Sequence, residues 1–336
     1  MEFFYIGKNA IEHLGYTDSE TCLTSRFSIL SGEEFDRHYP KYEEHLTDCY
    51  IDQDAVIYDS NLESINRCNY ETLSWNHRNM NHPVPVRTVS DIDQDAKLRL
   101  SLDCPVRELP DEDYFMLMRY HSIYPIGHFV DQLQKLQDID TNKTLLLSQI
   151  TGHFPEIRKH LEYMGFNNIQ SIKKKEREIL HVKRLHYKSP TCLTSHVTNV
   201  GREYIVSKYK HLYKNTGDVK LYLKRSHRRK VVNEDDALLK KLGFIIIDGT
   251  EGIDKMVDLF GRAKVIIGPH GGMFAHTIFC QNDPIIIEFM PKKRINECFR
   301  ACSRTCGLNH KCIYYDSLDD MYNIHVNWSE VFELIK

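Results

Sequence analysis

The C-terminal half of this 336-residue chain predicts an α/β fold built on a doubly wound, mostly parallel sheet. Three observations carry that expectation. Short β-branched runs alternate with amphipathic stretches, the connections between them are short, and one strand passes into the next helix through a glycine-rich turn. The turn lies in Ala263 to Pro291, AKVIIGPHGGMFAHTIFCQNDPIIIEFMP. Lys264 to Ile267 and Ile285 to Phe289 are short and β-branched, which favours strands buried on both faces over helix segments. Between them, Met273 to Cys280 fits a short amphipathic helix that follows Gly268, Pro269, His270, Gly271 and Gly272. A helix start of this kind presents unpaired N–H groups and the positive end of the dipole to an anion. Gly271 and Gly272 let the backbone approach a phosphate with no Cβ in the way, and His270 adds a donor. An ordinary strand-to-helix turn without a ligand fits the same residues.

Upstream, Lys220 to Lys224 reads as a strand running into Arg225-Ser226-His227-Arg228-Arg229-Lys230, where five of six residues can carry positive charge. Asn233 and Glu234 open a helix from Asp235 to Leu242 ended by Gly243. Phe244 to Asp248 then reads as a strand and Ile253 to Ala263 as a helix. In a parallel sheet of this order the basic loop and the glycine loop both emerge at the carboxyl edge, where open α/β sheets bind ligands. A guanidinium grips a diphosphate through paired donors, which singles out Arg225 and Arg229. Taken alone, the charge run also fits a solvated basic face.

The array Arg225, Arg229, Asn233, Glu234, then Gly243-Phe244, then Gly268 to Gly272, then Ile286 to Glu288 resembles glycosyltransferase family 61 over roughly residues 218 to 292. A weaker match lies earlier: Tyr124, His128 and Asp131, followed by Leu133 and Leu136, are similar to the family's Asn-Tyr-x-His-x-x-x-Asp helix. Ile123 stands where that motif has Asn, the spacings to His128 and Asp131 differ, His276 stands where Asn is usual, and Lys255 where Gln is common. The resemblance implies an inverting glycosyltransferase of the GT-B architecture, with two Rossmann-like doubly wound domains facing a cleft. It implies a nucleotide sugar in the C-terminal domain and a glycan or glycoprotein acceptor on the N-terminal side. Uridine diphosphate is the usual nucleotide, with xylose or N-acetylglucosamine as leading sugars. A non-catalytic module that kept the fold and the nucleotide-sugar or glycan site is the alternative.

The chemistry needs a base for the acceptor hydroxyl and stabilisation of the departing diphosphate. His128 and Asp131, three residues apart, share one helix face, and either can serve as base. Arg225, Arg229, His270 and the glycine N–H groups can hold the leaving group without a metal. Asn233 and Glu234 either join the donor site or cap the following helix. Glu288 either meets the ribose or supports the loop, and Gly268, Gly271, Gly272 and His276 complete the expected donor set.

The N-terminal half is expected to comprise a loop-rich, partly β region over residues 1–110 and an α/β region over 111–195. Strands are expected at Ser28 to Leu30, Ala55 to Tyr58, Tyr114 to His121, Lys143 to Ser148, Ile169 to Ile172 and Glu178 to Leu185. Helices are expected at Gly127 to Leu136, Pro155 to Met164 and Gly201 to Tyr213. Residues 196–217 form the expected linker helix, 218–320 the nucleotide-sugar domain, and 321–336 a terminal helix crossing back to the first domain, as GT-B proteins often have.

Apolar content of 41% and a net charge of −3 suit a soluble globular protein and give no sign of bulk nucleic-acid binding. Asp91-Ile92-Asp93, Asp111-Glu112-Asp113 and Asp138-Ile139-Asp140 match the metal-holding Asp-x-Asp pattern of other glycosyltransferases, yet none follows an apolar strand, so no metal is expected. Ten cysteines include Cys298, Cys302, Cys306 and Cys312, whose spacing lacks the pairs of a zinc site; on a helix from Arg294 to Cys306 three of these thiols share a buried face. No signal sequence and no bilayer-length apolar run is evident. The expectation is a cytosolic protein, of a bacterium or of a large virus in its host, with reduced thiols. The secretory lumen is the alternative, in which case the sequons at Asn142 and Asn327 matter.

Overall fold

The structure, a computed structural model, describes residues 2–5, 27–30, 43–52, 55–69, 96–118, 130–148, 154–172, 178–188, 197–214, 217–296 and 298–336. Strands β1 (Glu2–Tyr5) and β2 (Phe27–Leu30) form a small two-stranded sheet. The remaining elements fall into two compact units that divide after residue 193.

The first unit holds β3 (Glu43–Ile51), β4 (Ile57–Tyr58), β5 (Val106–Glu108), β6 (Asp113–Met118), β7 (Thr144–Ser148), β8 (Ile169–Ile172) and β9 (Ile179–Lys188). Their order is β4-β3-β9-β6-β7-β8, with β5 also paired to β9. β5 and β6 pair with β9 in parallel, as do β6, β7 and β8 in turn, whereas β3 runs antiparallel to both β9 and β4. The core gathers Cys49, Ile51, Tyr114, Met116, Leu146, Leu180, Val182 and Leu185. The strand expected from Ala55 begins at Ile57, because the Asp52 carboxylate accepts from Val56 N and closes a turn in which Ala55 takes a φ of 60°. Helix α1 (Val130–Leu133) runs into a 3-10 turn at Gln134–Leu136, and α2 spans Phe154–Tyr163. β3 and β5 did not stand out in the sequence. EEHLTDCYI carries charge and little apolar periodicity, and its strand form rests on cross-strand partners such as Leu46↔Leu185 and Tyr50↔His181.

The second unit opens with α3 (Asn199–Lys208), whose first turn is capped by the Thr198 hydroxyl accepting from Gly201 N. This helix, expected as a linker, is part of the unit: Gly201 and Ile205 are buried, and Arg202 donates to Ile278 O and Cys280 O at 2.9 and 2.6 Å. β10 (Val219–Leu223), β11 (Phe244–Ile247), β12 (Ala263–Pro269), β13 (Ile285–Pro291) and β14 (His310–Tyr315) follow in the spatial order β11-β10-β12-β13-β14, and all four pairings are parallel. Between them lie α4 (Asp236–Lys241), α5 (Ile253–Gly261), a 3-10 helix (Gly272–Phe279) and α6 (Cys298–Thr305), and α7 (Trp328–Leu334) ends the chain. The continuous apolar runs thus became the strands of a sheet covered on both faces.

Side-chain alternation splits the sheet. Tyr222, Val265, Ile267, Ile287 and Phe289 build one core with Val231, Leu239, Ile324, Val326 and Val331. The terminal helix packs here, with Trp328 against Tyr222 and Phe289 at ring separations of 5.9 Å. The apolar face of α7 is satisfied by the nearest unfilled sheet surface. On the opposite face the 3-10 helix lies against α3, α5 and α6. It was expected to be an amphipathic α-helix, yet Phe274 to Phe279 are all buried because neighbours cover it on every side.

Candidate active site

All strands of the second sheet being parallel, the loops after β10, β12, β13 and β14 leave at one edge. Register sets Gly268 beside Glu288 and Glu288 beside Cys312, and His310 shares that face two residues earlier on β14. Gly268 itself is a packing glycine. A Cβ there would stand 2.6 Å from Leu223 O, so the close approach of β10 and β12 excludes any larger residue.

Arg225 and Arg229 both occupy the basic loop, half-buried, while Ser226, His227 and Arg228 are exposed. Arg225 Nε donates to Arg228 O at 2.8 Å. Among the described residues no carboxylate lies within 4.0 Å of either guanidinium. Burial lowers the pKa of both, and Arg229 is pushed down to about 10, with Arg225 and Arg294 adding repulsion. Two desolvated cations in each other's field form a place where an anion is stabilised. Lys224, by contrast, is already satisfied by Asp236 at 2.8 Å and Glu234 at 3.1 Å.

The glycine loop meets Arg225 directly. A Cβ on Gly271 would come within 2.2 Å of Arg225 Nη1, so the guanidinium lies against the loop backbone where only glycine leaves room. The requirement is space, since Gly271 has an extended φ of −177°. Gly272 begins the 3-10 helix, whose first N–H groups have no intrahelical acceptor.

Behind the loop runs a buried polar chain. His270 N donates to Phe289 O, and His270 Nδ1 donates to Glu288 Oε1 at 2.6 Å. Glu288 Oε2 lies 3.2 Å from His310 Nε2 and accepts from the Cys312 thiol at 3.7 Å. His310 Nδ1 meets the Ser303 hydroxyl at 2.9 Å, which meets Thr277 Oγ1 at 3.0 Å, and Thr277 donates to Phe274 O. Burial alone would raise the Glu288 carboxyl, but His270 and His310 outweigh it and hold it down at about 2. Burial lowers the pKa of His270 despite its carboxylate partner. Glu288 is wholly buried, with both oxygens engaged by protein side chains.

Three expected donor residues stand elsewhere. Asn233 is a strap: its amide donates to Val326 O and accepts from Val326 N, and its carbonyl accepts from Trp328 Nε1. Glu234 accepts from the Tyr222 hydroxyl at 2.7 Å and pairs with Lys224. The helix cap expected of these two is Asp235, which accepts from Ala237 N and Leu238 N. His276 is fully buried against Phe260 and Phe279, with Nδ1 on Met273 O at 3.0 Å and no partner for Nε2.

Burial lowers the His276 pKa to about 4. The unfolded chain therefore binds a proton below the ordinary value near 6.5 that the folded chain refuses, and stability falls as pH drops from about 6.5 towards 4. Urea unfolding at pH 7.5 and pH 4.5 is expected to differ by about 3 kcal/mol more in the native chain than in His276→Asn. Equal differences would show that His276 is not held neutral.

His128 lies outside the described residues, and of Asp131 the structure gives only its place in α1. Asp91 and Asp93 also lie outside them. Asp111 and Asp113 both bind Arg184, at 2.5 and 2.6 Å, and Asp140 accepts from Asn142 N in a turn. Two sets of potential metal ligands occur among the described residues: Glu288, His310 and Cys312, and Glu43, His45 and His186. In the first the donor atoms already serve the buried chain; in the second Lys143 Nζ lies 3.0 Å from His186 Nδ1 and opposes a cation. Of the eight described cysteines, Cys298 and Cys302 are buried as expected on α6.

Sequence reasoning did not name His310, Ser303 or Arg294 as part of this site. Arg294 follows β13, with its guanidinium 5.4 Å from the Tyr322 ring centroid. Its signal was its position, two residues after Lys292 at the end of an apolar strand. No helix among the described residues is long and apolar enough to cross a membrane.

A protein-family model described as Glycosyltransferase 61 matches residues 118–287, half of the chain. The match takes in the segment of His128 and Asp131, the basic loop and the glycine loop, and ends one residue before Glu288. A search of the curated proteins gives no match.

Proposed function

The chain belongs to glycosyltransferase family 61, and we propose that it is an inverting, metal-independent enzyme of GT-B type. It moves a sugar from a uridine diphosphate donor to a hydroxyl of a glycan or glycoprotein. Xylose and N-acetylglucosamine are the favoured sugars. One observation supports this donor site above the rest: Arg225, with Arg229 in its field and no carboxylate partner for either among the described residues, lies against a glycine loop whose histidine is backed by a buried carboxylate.

In this reading the guanidiniums hold the diphosphate through paired donors and neutralise the charge that grows as the sugar leaves. The neutral His270 ring donates a hydrogen bond from Nδ1–H to the Glu288 carboxylate, which leaves Nε2 a lone pair. It donates to a phosphate only after taking up a proton, and the Glu288 carboxylate stabilises the imidazolium that results. Asp131 or His128 serves as base towards the acceptor. Two cations and an imidazolium can replace a divalent ion at the diphosphate, which is the basis of the metal-independent proposal.

Calorimetric titration of uridine diphosphate into the protein tests the reading. Arg225→Ala and Arg229→Ala are each expected to weaken binding about tenfold to a hundredfold, the loss of 1.5–3 kcal/mol typical of a charge-assisted hydrogen bond. Native binding should be unchanged by EDTA. Undiminished affinity in both variants removes the donor site from this edge, and loss of native affinity in EDTA removes metal independence. Repeating the titration with sugar-linked donors ranks xylose against N-acetylglucosamine.

A further inference from the structure

The basic loop is held by more than its own residues. Arg229 has a φ of 60°, in the left-handed region that a non-glycine residue enters at a cost of roughly 1–2 kcal/mol. What keeps it there comes from the far end of the chain, about ninety residues on. Arg229 N donates to Met321 O at 2.9 Å, and Lys230 N donates to the side-chain oxygen of Asn323 at 2.9 Å. Ile324 N donates to Lys230 O and Val232 N to Ile324 O, so that Val231 and Ile324 form a parallel bridge.

The loop that makes these contacts is itself built around one carboxylate. Asp319 Oδ1 accepts from Met321 N and Asn323 N, both at 3.0 Å, and Oδ2 accepts from the Asn323 amide at 2.7 Å. Tyr322, between them, has the same left-handed φ of 60° and carries Arg294 over its ring. Asn323 is thus hydrogen-bonded on both sides, giving its N–H groups to Asp319 and its oxygen to the backbone beside Arg229. Asp319 to Ile324 lie outside 118–287, the part of the chain that the family match covers.

We propose that the Asp319–Ile324 loop is a clasp that positions Arg229 for the donor diphosphate, with Asn323 as the positioning residue. The proposal rests on the donor-site reading above. A long side chain that must be ordered on binding loses conformational entropy, so a guanidinium whose backbone is already fixed binds an anion more tightly. The clasp acts through Arg229 and touches no substrate.

A double-mutant cycle tests it, with uridine diphosphate affinity measured by calorimetry in the native chain, Asn323→Ala, Arg229→Ala and the double variant. Asn323→Ala is expected to weaken binding about tenfold in the native background and less than about twofold once Arg229 is absent. Equal losses in both backgrounds would mean a general structural effect and overturn the proposal, as would no loss in the single variant. Should Asn323→Ala fail to fold, Asp319→Ala, on an exposed turn, takes its place in the same cycle with the same expected pattern. An Arg229→Ala protein of undiminished affinity overturns the clasp, and undiminished affinity in Arg225→Ala as well overturns the donor-site reading with it. A weakened Arg229→Ala with an additive Asn323→Ala overturns the clasp alone.

Discussion

Glu288→Ala is expected to lower the unfolding free energy by about 3–5 kcal/mol, the cost of removing one partner from a buried charged network. Glu288 is wholly buried, accepts from His270 at 2.6 Å, and lies 3.2 Å from His310. Alanine leaves both rings without that carboxylate in a dry layer and a void where the side chain stood. The loss also reaches the donor site, because His270 then has nothing to fix its ring or to stabilise its protonated form. Uridine diphosphate affinity should therefore fall in the protein that remains folded. Glu288→Gln keeps the volume and an oxygen for His270 Nδ1, and it should recover most of the stability while losing the proton uptake on nucleotide binding. Urea unfolding gives the first quantity, and calorimetry in buffers of different ionisation enthalpy gives the second. An alanine variant as stable as the native chain would show that the carboxylate is not the centre of the buried chain. Proton uptake undiminished in the glutamine variant would show that it is not the counter-ion of His270.

Asp131→Ala is expected to separate binding from transfer. Loss of a general base lowers the rate by about a hundredfold to ten-thousandfold, while a residue that serves the acceptor hydroxyl leaves uridine diphosphate binding within about twofold of native. The measurement is product formation from a sugar donor at saturating acceptor, beside a nucleotide titration of the same protein. A variant that retains its turnover would move the base to His128, and His128→Ala in the same assay distinguishes the two. A matched loss of nucleotide affinity would instead assign Asp131 to donor binding.

The strands of the second unit were legible because they are covered on both faces. KLYLK, FIIID, AKVIIGP and IIIEFMP are nearly continuous apolar runs of strand length, and each strand lies within a residue or two of its run. β14 and β3 were not legible for the converse reason. HKCIYY and EEHLTDCYI mix charge with apolar residues, and only a neighbouring strand supplies the pairing that makes them extended. The helix after the glycines, expected to be an amphipathic α-helix, is a 3-10 helix buried from Phe274 to Phe279, in which Thr277 and His276 Nδ1 bond to backbone carbonyls inside the packed layer.

The site divides along the same line. Local chemistry made Arg225, Arg229, His270 and Gly271 visible, because a charge run after a strand and a glycine turn before a helix are each contained in a few residues. By itself the sequence determined the parallel α/β character of the second unit and the two loops that meet at its carboxyl edge. Tertiary structure alone decided that Glu288 is buried against His270 and His310, that Asn233 ties down the chain end, that His276 is a core residue, and that Asn323 reaches back to the basic loop. The physical reason is range. Propensity, period and turn chemistry act over a turn or a strand, whereas the partner of a buried polar atom is whatever the fold brings within 3 Å, however distant it lies along the chain.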